Sequence, residues 1–409
     1  MNILFLSHYF PPEGNAPASR VHELCKRWVR AGHDVTVVTG VPNVPNGVPY
    51  PGYRNRLSQR ETIDGIRVLR VWTFLAPNKG TVRRILNYLS FMFAAAMAGL
   101  AARRPDVVVA TSPQFFCGWA GVIVSRLRRL PLVLEIRDIW PESIVTVGAM
   151  KKGLAIRFLE WMERKMYAAA RHIVTVGDGY REQLIAKGIP AGRITVITNG
   201  VDRDTFRPRQ PDMELKQSFG LRDSFVCSYI GTIGMACGLD IVLRAARILK
   251  ERGRNDIRFL LVGDGAVRED LEKRARSEGL DNVVFAGLQP RSRIPSFLSM
   301  SDASLIHLAA RPLFETVFPS KLLESFAMRR PIILGVRGYA ARLLHDAGAG
   351  IGIEPENERE LAAAVERLAD DRALSERLGR SGLEYAEKHF SLDELASEYV
   401  RILHAQVNP

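Results

Sequence analysis

The feature that most constrains the fold is an alternation of short apolar runs with stretches of helical period, which the chain contains twice. In the first half the apolar runs lie at 2–7, 34–39, 66–71, 106–111, 131–136 and 172–176. In the second half they lie at 225–230, 258–262, 282–285, 303–308, 331–335 and 349–353. Short apolar runs separated by helices are typical of parallel strands buried on both faces. We therefore predict two Rossmann-like α/β parallel-sheet domains in tandem.

The domain boundary is predicted from turn chemistry. The segment 194–208 reads ITVITNGVDRDTFRP, a strand followed by Asn, Gly, Asp and Pro, which is typical of a linker. A chain of 409 residues also suits two domains of about 200 residues each. We predict an N-terminal domain over 1–198, a linker over 199–208 and a C-terminal domain over 209–388. The last segment, 389–409, is predicted to be a helix that packs back on the N-terminal domain.

The net charge is concentrated in one half of the chain. Residues 1–190 contain 26 Lys and Arg against 13 Asp and Glu, whereas residues 191–409 contain 31 of each. Such segregation indicates an anionic partner for the N-terminal half, and nucleic acid or an acidic membrane surface are the usual ones. Ordinary solubilising charge is the alternative.

Residues 85–102 form an unusually apolar helical stretch, ILNYLSFMFAAAMAGLAA. A helix on the surface of a Rossmann-like domain normally carries a broad polar face, so this one is expected to meet an apolar surface. The apolar runs on either side, 66–71 and 106–111, are predicted to belong to one sheet, and the flanking arginines show no inside–outside bias. Both facts favour a helix over 83–104 that lies in an anionic membrane interface rather than spanning the bilayer. An oligomer interface is the alternative. The arginines are Arg83, Arg84, Arg103 and Arg104.

The cysteines and the first residues indicate a cytoplasmic protein. The four cysteines form no CxxC pair and lack a His at metal-ligand spacing, so we expect reduced, buried thiols. The start MNILFLS is interpreted as a first strand rather than a signal peptide. The four cysteines are Cys25, Cys117, Cys227 and Cys237.

Two segments of the N-terminal half are candidate binding loops after strands. The first, SHYFPPEGNAPASR (7–20), brings Gly14 and Asn15 to the start of a helix, where backbone N–H groups can approach a phosphate. The spacing is not GxGxxG, and a plain turn is the alternative. The proline-rich segment 41–65 is expected to be an irregular loop on the acceptor side.

The strand that ends in LEIRDIWPES (134–143) brings polar groups to its carboxyl end, where ligands bind in parallel sheets. Asp138 is the candidate for accepting a hydroxyl proton or orienting an acceptor. Arg137, Trp140 and Glu142 are candidate acceptor-binding residues. A purely structural Asp–Arg pair is the alternative.

The most specific pattern is PLFETVFPSKLLESFAMRRPIIL (312–334) in the second half. Pro319 and Ser320 are helix-start residues, so the N–H groups of 320–322, including that of Leu322, and the Lys321 ammonium are predicted to meet a diphosphate. Glu324 follows on the same helical face and is a candidate ligand for ribose hydroxyls. A merely capped helix is the alternative.

Two glycine-rich turns after strands are further candidates for donor binding. GTIGMACGLD (231–240) offers Gly231, Thr232 and Gly234. VGDGAVRED (262–270) offers Gly263, Asp264 and Gly265. Each turn alone is a weak signal.

The sequence provides little for a metal site. Asp202-Arg203-Asp204 imitates a DxD motif, but it lies in the predicted linker and is interpreted as turn chemistry. No metal site and no cofactor are therefore predicted.

Taken together, FPPEG at 10–14, NGVD at 199–202, VGDG at 262–265 and PSKLLESFAMRRPII at 319–333 resemble the GT-B retaining glycosyltransferases of family 4. The resemblance covers nearly the whole chain. It is greatest to the bacterial polysaccharide branch, including N-acetylfucosamine transferases of O-antigen assembly. It implies a GT-B fold in which the two Rossmann-like domains face a central cleft.

The resemblance also implies the reaction. A sugar moves from a nucleotide-diphosphate sugar, a UDP-sugar favoured, to a lipid-linked saccharide acceptor at the cytoplasmic face of the inner membrane. The C-terminal domain would bind the nucleotide, and the leaving phosphate would help take the acceptor proton, so that no metal is required.

The sequence departs from the family pattern at three positions. The family's first glutamate falls at Thr316, with Glu315 one place away, and either residue is a candidate for its role. The family's usual Arg and Lys after the first C-terminal strand correspond to Thr232 and Cys237. Lys321 and Arg311 are left to supply the phosphate charge.

Three rival functions are open on the sequence. A non-hydrolysing nucleotide-sugar epimerase has the same two-domain fold but needs no basic, apolar N-terminal surface. A nucleic-acid-binding protein would explain the charge, yet no recognised module or basic–aromatic stripe is present. A non-catalytic membrane scaffold would not need the PSKLLE pattern.

Overall fold

The structure, a computed structural model, describes residues 1–44, 46–77, 81–112, 114–140, 153–316 and 319–408. It divides into two compact units, Met1–Asn199 with Leu392–Pro409 and Gly200–Ser391. The boundary falls within the segment for which the sequence predicts a linker. Glu142, a candidate acceptor-binding residue, lies outside the described residues.

The strands and helices of the described residues are numbered in chain order. The strands are β1 (Asn2–Leu6), β2 (Asp34–Gly40), β3 (Ser58–Ile63), β4 (Ile66–Val71), β5 (Val107–Thr111), β6 (Leu132–Ile136), β7 (His172–Thr175), β8 (Ile194–Val196), β9 (Phe225–Ile230), β10 (Ile257–Val262), β11 (Val283–Gly287), β12 (Ala303–His307), β13 (Ile332–Gly335) and β14 (Gly350–Gly352). The α-helices are α1 (Ala16–Arg30), α2 (Thr81–Ala101), α3 (Phe115–Arg128), α4 (Leu154–Ala169), α5 (Asp178–Ala186), α6 (Met213–Ser218), α7 (Asp240–Glu251), α8 (Arg268–Ser277), α9 (Ile294–Met300), α10 (Lys321–Ala327), α11 (Tyr339–Ala347), α12 (Glu358–Asp370), α13 (Arg372–His389) and α14 (Leu392–Val407).

The sheet of the first unit has the strand order β3-β4-β2-β1-β5-β6-β7-β8. Its strands are parallel except β3, which pairs antiparallel with β4. The expectation of irregular structure throughout 41–65 is therefore wrong for 58–63, where pairing along β4 satisfies the backbone. The order of connection reverses between β1 and β5, which makes the carboxyl end of β1 a topological switch point.

Strand β1 is buried on both of its faces, which explains its continuously apolar sequence. Ile3 and Phe5 point into one buried cluster together with side chains of α1 and α14. Leu4 and Leu6 point into the opposite cluster, which includes side chains of α2, α3 and α4. Because successive side chains alternate between the faces of a strand, burial on both faces requires every position to be apolar.

The sheet of the second unit has the order β11-β10-β9-β12-β13-β14, and all its paired strands are parallel. Its switch point lies between β9 and β12. Val201 and Phe206, from the predicted linker, are buried in this unit among side chains of α10 and α11. Val201 also forms a parallel bridge with Ser391.

The last helix, α14, belongs to the first unit, where it packs against α1. The indole Nε1–H of Trp28 donates to the carbonyl of Ala396 at 3.0 Å. The Trp28 ring also meets the edge of the Tyr399 ring, with centroids 5.2 Å apart. At the start of the helix, Arg27 pairs with Asp393 at 2.8 Å.

The buried side chain of Arg20 binds the backbone near Asn199, where the first segment of the first unit ends. Arg20 Nε lies 3.1 Å from the carboxylate of Glu135, and both side chains are almost completely buried. The same guanidinium donates to the carbonyls of Ile197 and Thr198 at 2.8 and 2.6 Å. Thr111 donates its hydroxyl to the other oxygen of Glu135 at 2.9 Å. One residue of α1 therefore anchors the backbone just before the boundary between the units.

We predict that Glu135→Leu lowers the free energy of unfolding by about 3–5 kcal/mol, because it leaves the Arg20 guanidinium buried without its carboxylate. Glu366→Leu is the matched control, since Glu366 pairs with the half-exposed Arg252 at the surface and such pairs contribute less than about 1 kcal/mol. Urea denaturation followed by circular dichroism measures both. Equal stability of the two variants would contradict the assignment.

Candidate functional site

The site in the second unit forms where several loops leave the carboxyl edge of the sheet. Strand β9 leads into 231–239, β10 into 263–267, and β12 into 308–320 and then α10. Ligands of doubly wound sheets bind at this edge next to the switch point. The sequence-predicted donor residues of the second unit lie on these three loops and at the start of α10.

The first two loops are in backbone contact, which explains their glycines. A side chain at Gly263 would overlap the carbonyl of Gly231, and one at Gly265 would overlap the backbone of Ile233. The N–H of Ile233 donates to the carbonyl of Asp264 at 2.9 Å. These glycines are thus required by loop packing, whatever they contact in a complex.

The polar groups of these loops are also engaged locally. The carboxylate of Asp264 accepts the N–H of Gly265 at 2.8 Å and pairs with Arg268 at 3.0 Å. The carbonyl of Thr232 accepts the hydroxyl of Tyr229 at 2.8 Å. Gly234 has an extended backbone and precedes a short 3₁₀-helix, Met235–Cys237. The turn after β9 is therefore held in one shape.

Lys321 places its ammonium beside this turn. Its Nζ lies 3.9 Å from the centroid of the Tyr229 ring, which is a cation–π contact. A Cβ atom at Gly231 would lie 3.0 Å from the same Nζ, so glycine leaves room for the cation. Burial lowers the pKa of Lys321 to about 8, although the nearby Cys237 and Glu324 oppose the shift. The ammonium is charged at neutral pH and poorly hydrated.

Glu324 lies one turn further along α10 and faces a second cation. Its carboxylate is 3.2 Å from a terminal nitrogen of Arg291, whose guanidinium also stacks 5.6 Å from the Phe206 ring. Burial raises the pKa of Glu324, and Arg291 opposes that rise. The sequence analysis did not identify Arg291. Arg291 follows β11 at the same edge of the sheet, and this position could have marked it as a candidate site residue.

The start of α10 differs from the prediction. Ser320 adopts helical backbone angles and makes no side-chain capping bond. The N–H of Leu322 donates to the carbonyl of Pro319 at 3.0 Å, so this group is engaged within the turn. The prediction of free N–H groups throughout 320–322 is wrong for Leu322, because the first turn closes with i→i+3 bonds that use the donor.

Arg311 and Glu315 lie at the rim of this edge. Both are exposed, and they line a shallow depression together with Val336 and Arg337. Glu315 belongs to a 3₁₀-helix, Pro312–Thr316, of which the structure does not describe the Thr316 side chain.

In the first unit, the loop after β1 carries Gly14 and Asn15. The side chain of Asn15 accepts the N–H of Ala18 at 2.9 Å and caps α1, while Gly14 is exposed. The buried carboxylate of Glu13 accepts the N–H groups of Asn43 and Val44 at 2.9 and 3.1 Å. Burial raises the pKa of Glu13, and these hydrogen bonds oppose the rise. Glu13 thus ties the 41–57 segment to the switch point.

Arg137, Asp138 and Trp140 follow β6 at the carboxyl edge of the first sheet. The hydroxyl of Ser112 accepts the N–H groups of Arg137 and Asp138 at 2.7 and 3.3 Å. The Trp140 ring stacks on Phe115 with centroids 5.2 Å apart. Burial lowers the pKa of Arg137 to about 10. The turn is therefore anchored to β5 and α3.

Within the described ranges, His, Cys, Asp and Glu form no group of three or more that could hold a metal ion. The carboxylate of Asp202 accepts the hydroxyl of Thr205 at 2.5 Å and the N–H of Asp204 at 3.2 Å. The DxD-like sequence is thus engaged in a turn.

Comparison with known proteins supports the class that the fold indicates. Residues 15–200 match the glycosyl transferase 4-like domain, and residues 213–385 match the glycosyl transferases group 1. Anabaena HepE in complex with UDP superimposes with a TM-score of 0.71 at 17% identity, covering 99% of this chain and all of that one. The E. coli trehalose-6-phosphate protein bound to UDP-2-fluoro glucose superimposes with a TM-score of 0.73 at 12% identity, covering 100% and 99%. The fold is GT-B.

Two relatives are similar in sequence. An alpha-D-kanosaminyltransferase of Streptomyces kanamyceticus is 30% identical over 68% of this chain and 73% of its own length. The putative colanic acid biosynthesis glycosyl transferase WcaI of Escherichia coli K12 is 24% identical over 98% and 99%. The chain belongs to the GT-B glycosyltransferases of family 4.

We predict that the affinity for a nucleoside diphosphate falls as the pH rises above 8. Lys321 has a pKa of about 8 in the free protein, and a bound diphosphate favours its charged form. Above pH 8 binding must therefore recruit a proton, and the affinity falls by up to about tenfold per pH unit. Isothermal titration calorimetry with UDP, in buffers of different ionisation enthalpy, measures affinity and proton uptake together. Lys321→Met should remove the proton uptake, and its persistence in that variant would assign it to another group.

Proposed function

We propose that this glycosyltransferase moves a sugar from a nucleoside diphosphate sugar, a UDP-sugar favoured, to a lipid-linked saccharide in bacterial polysaccharide biosynthesis, retaining the anomeric configuration. The observation that carries the donor assignment is the pair Lys321 and Glu324. They lie one turn apart at the switch point, one offering a cation and the other a carboxylate. Solved structures of HepE contain UDP and UDP-glucose, which supports the choice of donor.

In the proposed reaction the bond between the anomeric carbon and the β-phosphate oxygen breaks while the acceptor oxygen bonds to the same carbon. The acceptor proton passes to the leaving phosphate, so neither a protein nucleophile nor a metal is required. Negative charge develops on that phosphate, and a poorly hydrated Lys321 ammonium stabilises it strongly because no water must reorganise. Glu324 holds the ribose hydroxyls, and Asp138 orients the acceptor.

The acceptor class is supported by relatives whose names include colanic acid biosynthesis and capsular polysaccharide biosynthesis. A lipid carrier would bring that acceptor to the membrane surface. The basic character of residues 1–190 and the apolar helices of the first unit fit such an acceptor. The N-acetylfucosamine branch is part of this proposal. In it, Arg311 adds positive charge for the phosphates, and Glu315 or Thr316 takes the role of the family's first glutamate.

We predict that Lys321→Ala lowers kcat by on the order of 10²-fold or more on the best donor of a nucleotide-sugar panel, because it removes charge stabilisation in the transition state. Glu324→Ala instead weakens UDP binding in calorimetry. Lys273→Ala, an exposed lysine of α8, is the control and should match wild type. The assay contains excess EDTA and a lipid diphosphate saccharide.

Near-normal kcat of Lys321→Ala at saturating donor would remove Lys321 from the reaction. Conversion of the nucleotide sugar in the absence of any acceptor would favour the epimerase alternative. Recovery of activity only after adding magnesium or manganese would contradict the metal-independent mechanism.

We further propose that the first unit binds the cytoplasmic face of the inner membrane without crossing it. One described helix, Arg83–Ala101, is long and apolar enough to span a bilayer by length and composition. However, Phe91 and Ala95 of α2 are buried in the cluster beneath the sheet, and α2 packs along α3. A helix that contributes side chains to the core of the first unit along its length is not free to cross a bilayer.

Exposed apolar side chains on α2 and α4 are the groups that we expect to enter the membrane interface. Phe93 and Met97 of α2 are 61% and 69% exposed, and Phe158 of α4 is 59% exposed. Phe158 stacks on Trp161 with centroids 5.8 Å apart. Aromatic side chains beside Arg and Lys are typical of helices in an anionic interface, where the apolar groups insert and the cations meet headgroups.

We predict that the protein floats with vesicles of phosphatidylglycerol and phosphatidylethanolamine, and that Phe93→Ser, Met97→Ser and Phe158→Ser together release it without changing UDP affinity. Phe91 is left intact because it is buried. Met213→Ser, which changes a half-exposed methionine in the second unit, is the control. A triple variant that still floats would contradict the proposal. A drop in molecular mass on light scattering would assign the surface to an oligomer interface.

A further inference from the structure

His307 ends β12 at the switch point of the second sheet, and its side chain is completely buried. It belongs to none of the groups proposed for the reaction. A buried imidazole at this edge is nevertheless unusual, because a titratable ring loses hydration there and must be compensated by specific hydrogen bonds.

Both ring nitrogens of His307 have backbone partners. Nδ1 lies 2.7 Å from the carbonyl oxygen of Cys237, and the N–H of Glu356 donates to Nε2 at 2.9 Å. A carbonyl can only accept and an N–H can only donate. The ring is therefore neutral and carries its proton on Nδ1, since an imidazolium has no acceptor to offer Glu356.

The two partners belong to different loops of the site. Cys237 lies in the turn after β9, where its thiol donates to the carbonyl of Thr232 at 3.2 Å. Glu356 follows β14 with a positive φ of 64°, and its carboxylate accepts the N–H of Ala310 at 3.3 Å. The ring thus connects the end of β12 directly to the turn 231–239. Through Glu356 it also connects the end of β12 to the segment 308–316.

Glycines make room for the ring on two sides. A side chain at Gly335 would overlap the His307 imidazole, and a Cβ at Gly238 would lie 3.1 Å from it. Gly238 also has a φ of 56°, which disfavours larger residues. The neighbouring strand β13 and the turn after β9 therefore close around an imidazole in this position.

We propose that His307 is a positioning residue that holds the turn 231–239 and the segment 308–316 in their donor-binding arrangement while its ring is neutral, so that donor binding weakens in mildly acidic solution. The inference rests on the proposed function, because those two segments are the proposed donor site. Protonation at Nε2 would break the bond from Glu356 and bring two donors face to face.

The charged groups around the ring set the direction of its titration. Burial lowers the pKa of His307 below 6.5, and Arg244 and Lys321 lower it further. The bond to the Cys237 carbonyl and the carboxylate of Glu356 act in the opposite direction. Because the folded pKa lies below the unfolded one, the stabilisation is complete above pH 6.5 and is lost as the pH falls through the folded value.

The test compares wild type with His307→Gln in calorimetric titrations of UDP-glucose at pH 7.5, 6.5 and 5.5. UDP-glucose is used because its diphosphate diester does not titrate in this range. The wild-type affinity should fall by up to about tenfold per pH unit below the pKa of the ring. His307→Gln keeps a donor and an acceptor but does not titrate, so its affinity should be lower at pH 7.5 and less dependent on pH. His345→Gln, at an exposed position of α11, should match wild type.

The difference between wild type and His307→Gln isolates His307 from Glu324, which also titrates in acid. Equal affinity and equal pH dependence in the two proteins would overturn the inference. Failure of UDP-glucose to bind any of the proteins would count against the proposed donor instead. In that case the melting temperatures of the two proteins without ligand are compared between pH 7.5 and 5.5. Wild type should lose more stability than His307→Gln, because only wild type has an imidazole that titrates at position 307.

A second measurement does not depend on a variant that folds. Nitrogen NMR of wild type labelled with ¹⁵N-histidine should show a neutral His307 with its proton on Nδ1 at pH 7.5, with the signal assigned through contacts to neighbouring residues. A proton on Nε2, or a charged ring, would overturn the inference.

Discussion

Burial of both faces of each sheet is the constraint on which the rest of the structure depends. In β1, Ile3 and Phe5 occupy one buried cluster while Leu4 and Leu6 occupy the other. A parallel sheet covered in this way exposes functional groups only at its edges, and the loops after the strands meet at one of them. Lys321 and Glu324 in the second unit and Asp138 in the first follow from that geometry.

Several buried charges in these units are matched to particular partners, because an isolated ion is costly at low dielectric. Arg20 has Glu135 and the carbonyls of 197 and 198, Glu324 has Arg291, and Lys321 has the face of Tyr229. The first pair anchors a chain end, whereas the other two groups lie where a diphosphate and a ribose are proposed to bind. In the first unit buried charge therefore holds the chain in place, and in the second it lies where the proposed donor would bind.

The exposed surface of the first unit has a different character from that of the second. In the second unit, many surface arginines are paired, as Arg254 is with Asp256 and Asp370. The excess positive charge of the chain lies in the first half, which also carries exposed apolar side chains on α2 and α4. A basic surface with exposed aromatic rings fits an anionic interface.

The sequence by itself determined the two parallel sheets, the helices between them and the carboxyl-edge positions of Lys321, Glu324 and Asp138, because periodicity and strand ends are local properties. It predicted irregular structure over 58–63 and a free N–H at Leu322, where pairing with β4 and closure of a helical turn decided otherwise. Only the tertiary structure brought Arg291 to Glu324, Tyr229 to Lys321, and His307 to Cys237 and Glu356. These partners are 33 to 92 residues apart in sequence, with the separation set by the crossovers of the sheet. No local pattern encodes which side chain a buried charge or ring meets, since that depends on how the loops pack against one another.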